Sequence, residues 1–378
     1  MRAARLYGAR DVRLDDVAAP APGPGTALVR VRSVGLCGSD LHYYRDARIG
    51  NSLASDPLVL GHELAGEVVA LGAPLTPPAP LGLSAIGPSA AGPALEAPPE
   101  PVEGRSEGTR PLLREGTRVA VDPAIACGAC ESCLEGNPNL CPAVRFCGTP
   151  PTDGALQDYV AWPAHLLHPL PEGMTFETGA LLEPLGVLIH ALDLAKVRLA
   201  DTIAVLGAGP IGLLAIRLAR LSGAVRIFAT DVVPGRVAAA RAFGADEAVD
   251  ARATDVPSWL KERTGGRGVH VALECAGAPE TPGQAVAAVR PGGRIVLVGI
   301  PSDDRIDLAA APARRKGVTI KLCRRMKHTY PRALSLVEAG LVDLAPLVTH
   351  RFPLVRTADA FDLLDRGAGG VLKAMVEP

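Results

Sequence analysis

Short apolar runs separated by Gly and Pro fill the first half of the chain, at 27–31, 66–69, 118–121 and 158–161. Runs of this length bounded by turn residues predict the strands of an irregular, β-rich domain. From about residue 185 the pattern changes. Short apolar strands at 202–206, 226–230, 269–273 and 294–298 alternate with helix-length stretches at 211–222, 234–243 and 279–289. Such alternation predicts βαβ units, and so a doubly wound parallel sheet covered by helices on both faces. The end of the chain holds a helical run at 331–339 and a strand–helix pattern; it is too short to bury a core of its own. The expected organisation is α/β: a β-rich domain over 1–184, a parallel-sheet domain over 185–323, and a segment over 324–378 that returns to the first.

The stretch 73–114 fits neither pattern. It holds ten prolines and almost no aromatic or β-branched residues. Too little apolar surface is available there to offset the entropy of ordering, which predicts an exposed, disordered insertion between two strands. A lid or docking arm is the functional alternative.

Composition narrows the classes of function. Lys+Arg 39 against Asp+Glu 40 leaves a net charge of −1, which provides no field for nucleic acid or an anionic membrane. The most apolar run, 203–221, contains Gly207, Gly209, Pro210, Gly212, Arg217 and Arg220 and is no bilayer span. Residues 1–16 lack the apolar centre of a signal peptide, so a soluble, cytoplasmic protein is expected. Four of the eight cysteines fall within 127–141, which in a reducing compartment reads as metal binding rather than disulfides.

Three constellations carry chemistry. Gly207-Ala208-Gly209-Pro210-Ile211-Gly212 lies between the strand 202–206 and the helix 211–222. In that context glycines allow the tight turn and the approach of a pyrophosphate to backbone N–H groups at a helix start. Asp231 ends the next strand, placed to accept hydrogen bonds from an adenosine ribose, which favours NAD over NADP. Arg236, five residues on, is a cation that can accommodate a 2′-phosphate. Cys127, Cys130, Cys133 and Cys141 offer four thiolates on one loop, a closed tetrahedral set for a structural Zn²⁺; an iron–sulfur cluster and free buried thiols are the rivals. Cys37 and the pair His62-Glu63 would make a second metal site with a vacant position, the form of a catalytic zinc.

These landmarks, in this order, resemble the zinc-dependent medium-chain dehydrogenase/reductase family, the alcohol dehydrogenase superfamily. Within it the chain is most similar to the sorbitol (L-iditol 2-) dehydrogenase branch. The residues that carry the likeness are 38–43 (Gly-Ser-Asp-Leu-His-Tyr), 146–154 (Phe-Cys-Gly-Thr-Pro-Pro-Thr-Asp-Gly), Glu183-Pro184-Leu185 and 348–354 (Val-Thr-His-Arg-Phe-Pro-Leu). The resemblance implies a GroES-like catalytic domain beside a Rossmann cofactor domain. It also implies a polyol of the sorbitol, L-iditol or xylitol type, oxidised to the 2-ketose with hydride transfer to NAD. Two zinc ions per subunit follow from it, the catalytic one held by Cys37, His62 and Glu63, with Glu183 bound directly or through water. Ser39 and His42 would relay the proton, and Tyr43, Phe146, Glu183 and Arg325 would contact the polyol. Ile211, Asp231 and Arg236 match cofactor contacts, as do Val298, Gly299 and Ile300. The chain has Met326 where some sorbitol dehydrogenases carry Tyr after the pocket arginine. His328 and Tyr330 are further polar candidates. A homodimer or homotetramer is implied, with a small-molecule substrate and neither nucleic acid nor membrane as partner. The alternatives are an L-threonine 3-dehydrogenase or general secondary-alcohol dehydrogenase, and, outside enzymology, an inactive zinc-stapled binding protein.

Overall fold

The computed structural model describes residues 1–54, 57–74, 113–303 and 305–378. Most of the Pro-rich stretch 73–114 therefore lies outside the described residues.

The first body is built on the ten-residue strand Thr26–Gly35, whose alternate residues Ala27, Val29 and Val31 are buried. Glu63–Leu71 pairs along one edge of it, and Arg118–Val121 and Leu167–Pro169 extend the sheet beyond. The other edge is shared by Tyr159–Pro163 and Lys373–Glu377. The latter is the last strand of the chain, and Val348–Pro353 pairs parallel to it. The C-terminal segment thus returns to the first sheet, adding a strand after its helix Thr357–Arg366. A hairpin of Arg2–Gly8 and Asp11–Asp16, joined by Leu58–Val59, forms a smaller sheet.

The second body is a six-stranded, all-parallel sheet. Its order is Glu247–Asp250, Arg226–Asp231, Thr202–Leu206, Val269–Glu274, Val289–Leu297 and Thr319–Leu322. Sequence order along it is 3-2-1-4-5-6, so the direction of winding reverses between Thr202–Leu206 and Val269–Glu274; ligands of open α/β sheets bind at such a crevice. Helices Pro210–Leu221 and Pro234–Ala242 follow the first two strands.

Helix Leu182–Ala195 is buried on nearly every side and packs against Pro210–Leu221 and Tyr330–Glu338. The run Phe176–Ala195 is long and apolar enough to cross a membrane by composition, but 78% of its most apolar window is buried inside the protein. It is a core element of the protein.

Candidate active site

Cys37 caps the N-terminus of helix Gly38–Asp46. Three residues on, Asp40 folds back and its Oδ2 accepts the Cys37 backbone N–H at 3.0 Å. Its Oδ1 accepts the Gly61 backbone N–H at 3.2 Å and lies 3.3 Å from His62 Nδ1. One buried carboxylate therefore fixes the start of the helix, the approach of Gly61 and the ring of His62. Burial disfavours the Asp40 charge, yet His62 and the backbone donors outweigh that and hold its carboxyl below the usual range. Burial pulls His62 down, and Asp40 and Cys37 together lift it well above its ordinary value. With Nδ1 on Asp40, Nε2 is the nitrogen left for a metal, the orientation outer carboxylates impose on metal-binding imidazoles. The sequence signal for Asp40 is an acid three residues after a helix cap, which alone assigns it no part in the metal site.

Ligand atoms of Cys37, His62 and Glu63 all lie within 4.8 Å of one another. Glu63 begins the strand Glu63–Leu71 and pairs with Gly35, where any Cβ would sit 2.1 Å from Glu63 Oε2. Lys373, on the last strand, reaches the same carboxylate: Nζ donates to Oε1 at 2.7 Å, to Oε2 at 2.9 Å and to the Leu36 carbonyl at 3.0 Å. Both side chains are buried, at 5% and 1% exposure. Nothing in the local sequence marks Lys373, because its partner is 310 residues away.

Beside this cluster the Phe146 ring centroid is 5.2 Å from that of His62, and the Arg325 guanidinium lies 3.9 Å over Phe146. Burial and Arg324 pull Arg325 down to about 10, while Glu183 and Tyr43 oppose that shift. Its Nη1 is buried without a hydrogen-bond partner. The Tyr43 hydroxyl bonds Ser52 Oγ at 2.8 Å. Tyr43, Phe146, Glu183 and Arg325 thus share one neighbourhood, although they come from four separate parts of the chain. Tyr330 does not join them. It is a core residue, stacked on His168 with centroids 4.4 Å apart and donating its hydroxyl to Val121 O at 2.6 Å.

Glu183 lies in the first turn of Leu182–Ala195, outside the three-residue cluster but within the field of His62, Glu63 and Lys373. Burial pushes its carboxyl from 4.5 up to about 7. Between those values the folded chain holds a proton that the unfolded chain has released, so stability falls as pH rises. In metal-free protein the loss is expected to be on the order of 3 kcal/mol across that window, and to disappear in Glu183→Gln. Denaturant midpoints measured from pH 4.5 to 6.5, below the range in which His62 contributes a slope of the same sign, check it; a slope that survives there in Glu183→Gln assigns it elsewhere.

Ser39 and His42 share the helix that Cys37 caps. Burial and Arg45 lower the His42 pKa, against smaller opposing influences from Asp46 and the Ile300 backbone. Val298 and Gly299 each donate a backbone N–H to Glu274 O, at 2.8 and 3.0 Å, which places Val298, Gly299 and Ile300 at the mouth of the crevice. Across it, Gly207 has φ +95, and a Cβ there would meet the Ala276 backbone at 2.8 Å; one on Gly212 would meet Gly207 O at 1.8 Å. Gly209 has open space instead, with Arg236 Nη1 the nearest atom at 3.9 Å. Ile211 is half-buried in the first turn of the helix. Asp231 accepts Ala208 N–H at 2.7 Å and Val233 N–H at 2.9 Å, so it shapes the turn while each oxygen keeps a lone pair for a ribose hydroxyl.

Cys127, Cys130, Cys133 and Cys141 also bring their sulfurs within 4.8 Å of one another. Backbone N–H groups of Ala129 and Cys130 pull the Cys127 thiol down to about 6, towards the thiolate that metals take. Both donor sets fit zinc: four sulfurs closing a tetrahedron, and a sulfur, an imidazole and a carboxylate leaving a position open.

Residues 210–339 match the family described as zinc-binding dehydrogenase, and residues 23–82 and 102–172 match the alcohol dehydrogenase GroES-like domain. Sorbitol dehydrogenase of Bacillus subtilis (strain 168) is 35% identical over 378 residues, covering 100% of this chain and 97% of that protein. The chain belongs to the zinc-dependent medium-chain dehydrogenase family. Solved members of similar shape include a putative zinc-binding dehydrogenase from Sinorhizobium meliloti bound to NADP, with TM-score 0.83 and 28% identity. It covers 100% of this chain and 99% of that one. The 2R,3R-butanediol dehydrogenase from Bacillus subtilis has TM-score 0.81 and 29% identity, with the same coverage. The chain is an alcohol or polyol dehydrogenase with the family's GroES-like and Rossmann bodies. Family membership ends the binding-protein alternative. Residues 83–101, inside the Pro-rich stretch, fall outside the family match.

Proposed function

We propose that the chain oxidises a polyol of the sorbitol, L-iditol or xylitol type to the 2-ketose, passing a hydride to NAD. The observation that carries this reading is the buried Nη1 of Arg325, a donor without a partner beside Phe146 and within the field of Glu183. A buried donor left unmade costs free energy, and a substrate bearing several hydroxyls would satisfy it. Zinc on Cys37, His62 and Glu63 would supply Lewis-acid stabilisation of the reacting oxygen, NAD in the crevice would accept the hydride, and a second zinc on the four cysteines would staple their loop.

The chain's own residues perform the rest. Asp40 orients His62, and Lys373 holds Glu63. Glu183 accepts from substrate hydroxyls, or serves the metal. Ser39 takes the hydroxyl proton and passes it on, through the cofactor ribose, to His42. Burial and Arg45 lower the pKa of that imidazole, which favours the neutral form, with a ring nitrogen able to receive the proton. The Asp231 carboxylate favours an unphosphorylated ribose; Arg236 beside Gly209 is the residue through which NADP would enter. We assign the chain to the cytoplasm as a homodimer or homotetramer. Thr319–Leu322 is an edge strand with Leu322 68% exposed, suited to pairing across a two-fold axis.

The test is an initial-rate panel of polyols, 2-butanol and L-threonine, run with NAD and with NADP on zinc-loaded protein. Xylitol or sorbitol turnover with NAD is expected to exceed the others. Threonine turnover without polyol turnover overturns the substrate class, and preference for NADP overturns the cofactor.

A further inference from the structure

Arg325 has φ +53 and His328 has φ +50, left-handed conformations that a non-glycine residue keeps only where its surroundings hold it. The four-cysteine loop supplies that hold. Asn139, between Cys133 and Cys141 and 4% exposed, donates its Nδ2–H to the Arg324 carbonyl at 3.0 Å. The same amide lies 3.4 Å from His190 Nε2, on helix Leu182–Ala195. Burial and the cations Lys327 and Lys321 lower the His190 pKa, so its ring is neutral and can accept. Two residues earlier, Asn137 Oδ1 accepts from Lys327 Nζ at 2.6 Å. The loop therefore grips the chain one residue before Arg325 and two residues after it.

The chemistry of Asn139 argues that this grip is more than packing. Its Oδ1 is buried with no hydrogen-bond partner, so an apolar side chain would avoid a cost that this amide bears. What the amide gains in return is its hydrogen bond to the Arg324 carbonyl and its contact with His190, and the two fix backbone rather than fill space. The backbone so fixed is the one that aims the Arg325 guanidinium over Phe146.

We propose that Asn139 and Asn137 make the four-cysteine loop a clamp on Arg325, so that the closed metal site, remote from the chemistry, sets selectivity for substrates with additional hydroxyls. Both asparagines are positioning residues. The inference rests on the polyol reading of the Arg325 pocket.

Asn139→Ala tests it, with Lys327→Met as a second variant that leaves the buried amide in place. KM for xylitol is expected to rise about tenfold, since a small misplacement of a substrate-orienting group costs that much or more. The loss on xylitol is expected to exceed the loss on 2-butanol by roughly fivefold or more, because a single hydroxyl does not need the arginine. In an Arg325→Ala background, Asn139→Ala should add less than about twofold. Amide exchange over 324–328 should accelerate, with zinc content equal to that of the parent protein. Equal losses on both alcohols, or losses that add to those of Arg325→Ala, overturn the clamp. A parent protein that oxidises 2-butanol but no polyol overturns the substrate class instead. The exchange measurement then still judges the clamp, and unchanged exchange at 324–328 overturns it.

Discussion

His62→Ala is expected to lower turnover on the order of a thousandfold or more, while the protein folds and still binds NADH. The imidazole is one of three donors in the Cys37, His62 and Glu63 set and the only nitrogen ligand in it. Losing it would remove the Lewis acid that a zinc held there would supply, worth several kcal/mol at the reacting oxygen, without touching the Gly207–Gly212 turn. Asp40→Asn separates support from ligation. The ring keeps a neighbour but loses its charged anchor, and partners of that kind typically contribute about 10–100-fold. Initial rates, zinc analysis and an NADH fluorescence titration check the series. Full zinc occupancy with normal turnover in His62→Ala would remove His62 from the metal centre.

The parts of this molecule that could be read from the sequence are those whose signals are local. The strands Thr202–Leu206 and Arg118–Val121 form where their apolar runs predict them, and the glycine turn sits between strand and helix as its spacing requires. Clustered cysteines announce their loop for the same reason. Helix Leu182–Ala195 gave no such signal. Its residues are apolar around the whole circumference because it is packed on nearly every side, so no 3.6-residue period exists to detect. The hairpin of Arg2–Gly8 and Asp11–Asp16 is rich in Arg and Asp because much of its second strand faces solvent, which hid the alternation.

Within the site, the same division separates ligands from their supports. Cys37, His62 and Glu63 are legible in the sequence because sulfur, imidazole and carboxylate are recognisable metal donors. Asp40 and Lys373 act only through geometry, one by folding back over a helix cap and the other through a strand register set by Met375 and Val376. Sequence distance conceals such partners: Lys373 reaches residue 63, and Asn139 reaches residue 324.

Lys373→Met should produce the largest loss of stability in the metal-free protein. The ammonium's three N–H groups are all spent, two on Glu63 and one on the Leu36 carbonyl, so replacing it strands a carboxylate at 1% exposure. Breaking a buried pair from one side typically costs about 3–5 kcal/mol, because the surviving charge is left without compensation. Zinc changes the balance. In the parent protein a metal must share Glu63 with Lys373, whereas in Lys373→Met a bound cation can replace the ammonium on that carboxylate. Added zinc should therefore raise the unfolding temperature of Lys373→Met by more than it raises that of the parent. Thermal scans of both proteins, stripped of metal and then titrated with zinc, read both effects. An undisturbed metal-free Lys373→Met would show that Glu63 finds another partner. An equal zinc gain in the two proteins would show that Lys373 and the metal do not compete for Glu63.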